Sequence, residues 1–201
     1  MRVDENAPLI VRMMQQVTTF IPVGPMAAVA GAIADLILQN LKKHGSQTSI
    51  VENGGEICAI SGRDIVIGIL AGGASLSGRI GFKLKKDQDF PFGLGTSSRG
   101  GRGFSFGYAD AATVVSTNAT IGDAAATHVG NKIVGNDIEK SVQAGLEAAE
   151  TLEKVRGALI IRGNYAGVTG KIPKLTKITG DINKLMKKKY EYKLDKDYII
   201  L

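Results

Sequence analysis

A chain of 201 residues with 44% hydrophobic and 22% charged side chains can bury a core and reads as one domain over 1–201. Its net charge of +6 is concentrated late, where residues 171–196 carry nine Lys against Asp181, Glu191 and Asp195; with only Tyr190 and Tyr192 interleaved and no nucleic-acid module, the run reads as a solvated basic tail and argues against a nucleic-acid partner. A single Cys excludes an internal disulfide or a thiolate zinc site and fits a reducing, cytoplasmic setting.

The chain opens on MRVDENAPLI, whose Asp4 and Glu5, with Arg12 beyond, do not read as a secretory signal. APLIVRMMQQVTT (7–19) has the spacing of an amphipathic helix, and FIPVGP breaks it with Pro22 and Pro25. MAAVAGAIADLILQNLKK (26–43) is the clearest helix. Pro25 suits its first turn, Lys42 and Lys43 suit its negative end, and Gly45 stops it. Ala27, Ala30, Gly31 and Ala34 recur at helical spacing and let this helix lie close to another backbone. Asp35 and the glycines in 21–38 argue against a membrane span, so no membrane partner is expected.

Strands follow. TSIVE (48–52) and EICAIS (56–61) flank the turn signal Asn53-Gly54-Gly55. DIVIGIL (64–70) and RIGFKLK (79–85) are separated by AGGASLSG, and residues 91–107 show little regular period. AATVVS (111–116) reads as a strand, 119–134 and 137–154 as helices, and ALIIRG (158–163) returns to strand before VTGKIPKLTKITG. Helices interspersed with strands imply an α/β or α+β layered fold, with mixed sheets packed with helices.

Two stretches can carry chemistry. In GDAAATHVGN (122–131), Asp123 and Thr127 stand four apart, so a helix presents both on one face as two hard oxygen ligands for a cation such as Mg²⁺. Thr120-Ile-Gly-Asp123 also matches a capping box, in which Asp123 would serve its own helix. In GTSSRGGRGFSFG (95–107), backbone N–H groups beside Thr96, Ser97 and Ser98, together with Arg99 and Arg102, suit an anion nest; a surface loop is the competing reading. Cys58 on a strand reads as a buried, inert thiol, His44 as a helix-end residue, and His128 points about 100° away from Thr127.

Taken together, GPMAAVAGAIAD (24–35), ENGGEI (52–57), GTSS (95–98) and GDAAAT (122–127) resemble, in order and spacing, four motifs of the ApbE superfamily, whose members use FAD and Mg²⁺ to attach FMN to a Thr of a target protein. The similarity is closest to an ApbE-like branch of archaea and bacteria and runs through KIPKL (171–175). Members of that branch carry more sequence ahead of this point, which leaves room for a missing N-terminal segment. The resemblance implies an ApbE-like fold and a metal set of the Ala27 carbonyl, Asp123 and Thr127. It further implies an anionic ligand or nucleotide, FAD or another, near Gly54, Gly55, Thr96, Ser97, Ser98, Arg99 and Arg102. Two departures stand out. The Lys of the first motif falls on Ala28, and the His-x-x-Asp-Pro-x-Thr-Gly motif, whose His is implicated in flavin transfer, is replaced by FSFGYADAATVV. The expectation is therefore a binding protein with a retained metal half. FMN transfer and an accessory part in sulfide use for homocysteine formation are the alternatives that the resemblance implies, with a protein partner and self-association left open.

Overall fold

The computed structural model describes residues 4–100 and 105–179. Arg102 and the basic run beyond residue 179 lie outside the described residues. A first helix, α1 (Leu9–Val17), leads to a 3₁₀ turn (Pro25–Ala28) and α2 (Val29–Lys43). The sequence pattern implied one continuous helix over 26–43. Instead, Pro25 seeds a 3₁₀ turn, and the α-helix proper begins at Val29.

Strands β1 (Ser49–Asn53) and β2 (Glu56–Ile60) form a hairpin about Gly54 and Gly55, both at positive φ. They are followed by β3 (Ile65–Gly68), β4 (Ile80–Leu84), β5 (Phe92–Ser97) and β6 (Ala111–Ser116). Helices α3 (Ala119–Lys132) and α4 (Ile138–Glu150) come next, then β7 (Val155–Arg162), β8 (Tyr165–Gly170) and β9 (Lys174–Lys177). One sheet has the order β1-β2-β5-β6-β7-β8, the other β3-β4-β9, and every pairing is antiparallel.

The larger sheet has a helix face and a sheet face. Val114, Ala158 and Ile160 pack on the helix side with Ala125, Val129 and Val142, while Phe92, Leu94, Val115 and Leu159 pack on the other with Phe82 and Leu84 of the small sheet. This is the α+β layering that the element order implies.

Strand β5 corrects the reading of 91–107 as irregular. Its alternation is Phe-Gly-Leu-Gly, with the large residues toward the small sheet and the glycines toward α3. A Cβ at Gly93 would overlap the backbone of Asn118, and one at Gly95 the backbone of Gly122, so α3 lies directly on the strand. A hydrophobicity scan misses such a strand because one face is defined by the lack of a side chain.

Candidate functional site

Helices α2 and α3 pass each other in opposite directions at backbone distance, and a Cβ at Gly31 would overlap the carbonyl of Ala119. The first N–H groups of any helix lack intrahelical partners. Here each helix takes a carboxylate from the other. Asp35 of α2 accepts from the N–H groups of Ala119 (2.9 Å) and Thr120 (2.8 Å) and from the Thr120 hydroxyl (2.5 Å). Asp123 of α3 accepts from the N–H groups of Gly31 (2.9 Å) and Ala30. The capping-box reading is thereby corrected: Asp123 caps α2, and the cap of its own helix is Asn118, which accepts from Ile121 N–H at 2.9 Å. Thr120 turns to Asp35 instead.

Asp123 opens onto a cleft of about 410 Å³, lined by Met26, Ala27, Val29, Ala30, Gly54, Glu56, Thr96, Ser97, Ser98, Asp123 and Thr127. Seven of the metal and ligand candidates from the sequence meet there: Ala27, Gly54, Thr96, Ser97, Ser98, Asp123 and Thr127. The 3₁₀ turn brings Ala27, α3 brings Asp123 and Thr127 one turn apart, and the end of β5 brings the Thr-Ser-Ser run. Asn53 donates to the Ala30 carbonyl at 3.0 Å and pins the β1–β2 turn to the start of α2. Gly55 does not join them; it lines a smaller cavity between the sheets, which shares Thr96 with the cleft. Arg99 lies outside the cleft lining, with its guanidinium carbon 4.8 Å from the centre of the Tyr108 ring.

Glu56 is the residue that the sequence reading passed over. It directly follows the Asn53-Gly54-Gly55 turn, and an acid at the start of a strand beside that turn was the available signal. Only 7% exposed, it is raised to about 7, first by burial and then by the charge of Asp123. Burial likewise lifts Asp123 to about 6, against the N–H bonds of Gly31 and Ala30. A carboxyl near 7 can take up or release a proton at neutral pH. Burial and the neighbouring Lys132 lower His128, whose ring bonds the Pro22 backbone away from the cleft.

Cys58, 1% exposed on β2, hydrogen-bonds Asp35; burial first and the Asp35 carboxylate second push its thiol up to about 12. It is held as a neutral thiol, the inert form expected of a buried Cys.

Residues 1–155 match the family model described as "AbpE bacteria". The chain belongs to this family. A "UPF0280 protein" of Methanococcus maripaludis strain C5 is 46% identical over 179 residues, which is 88% of this chain and 72% of the relative. One of Methanocaldococcus jannaschii is 41% identical over 177 residues, 87% of this chain and 71% of the relative. Among solved structures, the ApbE protein of Thermotoga maritima aligns with a TM-score of 0.51 at 17% identity, over 81% of this chain and 52% of its own. The flavinyl transferase ApbE of Pseudomonas stutzeri, in its apo form, aligns with a TM-score of 0.50 at 20% identity, over 73% and 47%. The chain thus shares the ApbE fold and spans about half the length of these solved proteins. No described helix is long and apolar enough to cross a membrane.

Proposed function

We propose that this member of the family holds a divalent cation in the cleft and, through it, a small phosphorylated ligand of the nucleotide class. The observation that carries the reading is the convergence of Ala27, Asp123, Thr127 and the Thr96–Ser98 run on one cavity. The donor set fits Mg²⁺. Among the described residues no three His, Cys, Asp or Glu side chains cluster as a metal cage, so the ion would take a few protein oxygens and keep its remaining positions for water and phosphate. Asp123 binds Gly31 N–H through Oδ2 and still lines the cleft, where a carboxylate lone pair can reach an ion, and the Thr127 hydroxyl makes no hydrogen bond to another described residue. The Ala27 carbonyl would complete the set. A cation bound there would offset the charge of Glu56 and Asp123 and attract phosphate oxygens.

The chain's own groups do the rest. Ser97 and Ser98 offer hydroxyl donors to a phosphate, and Met26 and Val29 supply apolar wall for a ring. Glu56 is the proton acceptor within reach. Titration calorimetry with Mg²⁺ and then ADP or FAD tests the proposal. Nucleotide binding should require Mg²⁺ and weaken at least tenfold in Asp123→Ala. Equal binding with and without Mg²⁺, or an unaffected variant, overturns it.

A further inference from the structure

Beside the cleft, two guanidinium groups share one aromatic ring. The carbon of Arg99 lies 4.8 Å and that of Arg162 5.3 Å from the centre of Tyr108. Arg162 comes from the end of β7 and is fixed by its hydrogen bonds to the Ser141 hydroxyl (2.5 Å) and the Gly135 carbonyl (2.7 Å). Arg99 is exposed, its backbone N–H donates to the Ala109 carbonyl, and its side chain has no hydrogen bond to a described residue.

Two like charges around one ring repel unless an anion lies near. Among the described residues neither guanidinium has a carboxylate partner, since the ion pair found there is Lys140 with Asp137. The nearby acids are engaged elsewhere: Asp110 accepts from Gly163 N–H at 2.5 Å, and Glu139 bonds Tyr165. Ser98, which lines the cleft, immediately precedes Arg99. The guanidinium of Arg99, hydrogen-bonded to no described residue, therefore sits one residue beyond the proposed phosphate-binding run, and Tyr108 stacking restrains it.

We infer that Arg99 and Arg162, held about Tyr108, form an anion subsite on the rim of the cleft that takes a distal phosphate of its ligand. This inference rests on the cleft reading for the identity of the ligand, and not for the existence of the subsite. A planar guanidinium fork matches phosphate oxygens in pairs, and stacking on the ring leaves the N–H edge of Arg99 toward such a group, while Arg162, with one N–H on each terminal nitrogen held by Ser141 and Gly135, adds a fixed positive charge. Such a ligand bridges the cation end of the cleft, at Asp123 and Thr127, and the arginine end.

The test is calorimetry with inorganic pyrophosphate in EDTA, where no cation contributes. Wild type should bind, Arg99→Gln should bind at least tenfold more weakly, and Lys86→Gln, which removes the same charge elsewhere, should match wild type. Arg162→Lys keeps the charge and loses the fork to Ser141 and Gly135, so its affinity should fall between the two, with its unfolding midpoint recorded separately. Absence of pyrophosphate binding by wild type, or equal weakening by Arg99→Gln and Lys86→Gln, overturns the subsite. If pyrophosphate binding depends on Arg99 yet Mg²⁺ adds nothing to the binding of ADP, the subsite stands and the cation reading falls.

Discussion

The two ends of the α2–α3 contact use one device in two environments. At one end Asp35, 5% exposed, caps α3 and is closed in by the Thr120 hydroxyl and the Cys58 thiol. At the other, Asp123 caps α2 but faces a cleft shared with Glu56 and Thr127. Both carboxylates satisfy helix N–H groups. The closed one has its donors provided by the chain, whereas the open one shares its cavity with a second acid that burial has raised to about 7. A capping carboxylate thus becomes a candidate ligand-binding group when one side of it faces an open cleft.

The sharpest way to break this comparison is to remove Asp35. Asp35→Ala would strand two buried N–H groups, a hydroxyl and a thiol, and should cost roughly 3–5 kcal/mol, as is typical when one partner of a buried charged network is deleted. Urea denaturation measures it. A loss below about 1 kcal/mol, no more than an ordinary exposed cap, would show that the closed end does not lock the helices. The matching change at the open end, Asp123→Asn, keeps an acceptor for Gly31 N–H and removes a charge facing Glu56, so it should cost far less.

Much of this arrangement was legible in the residues, though not the pairing itself. Asp123 and Thr127 declared themselves by spacing, and the small-residue stripe through Gly31 announced a close helix contact. Whose helix Asp123 serves was not legible, because a capping box and a tertiary cap share the same local pattern; only the antiparallel crossing decides. Glu56 was hidden for a related reason. Its acidity at neutral pH arises from burial and from Asp123, which is 67 residues distant in the chain. Strand β5 escaped because glycine marks its helix face, and Arg162 because nothing local ties it to Arg99.

Acidity offers the next test. Glu56 has a folded pKa of about 7 against an ordinary 4.5, and Asp123 about 6 against 3.8. Below about pH 3 both are largely protonated in the folded and unfolded states, and no penalty arises. As pH rises, the unfolded chain releases these protons first, so stability falls between about pH 4 and 7. For Glu56 the loss is on the order of 3 kcal/mol. Unfolding midpoints at pH 5 and 7.5 should therefore drop with pH, and Glu56→Gln should flatten the slope. If Mg²⁺ occupies the cleft, adding it at pH 7.5 should restore part of the loss, while at pH 5 it should do little, since Asp123 is then mostly protonated. A stability that rises from pH 5 to 7.5 and is insensitive to Glu56→Gln would mean that the open end is not a strained acid pair.

The smallest effect probes the closed end from its other side. Cys58 donates to Asp35 from β2, so Cys58→Ser keeps a donor where Cys58→Ala removes it. The alanine variant should lose about 1–2 kcal/mol, by leaving Asp35 one partner short, and the serine variant less. Thiol chemistry gives an independent reading of the same contact. With its thiol 1% exposed and pushed up to about 12, native Cys58 should react with an alkylating reagent at neutral pH only as fast as the chain opens, and at the ordinary rate of a free thiol once urea unfolds it. Rapid alkylation of the folded protein would mean that the β2–α2 contact breathes, and that the two ends of the helix pair differ less than their geometry indicates.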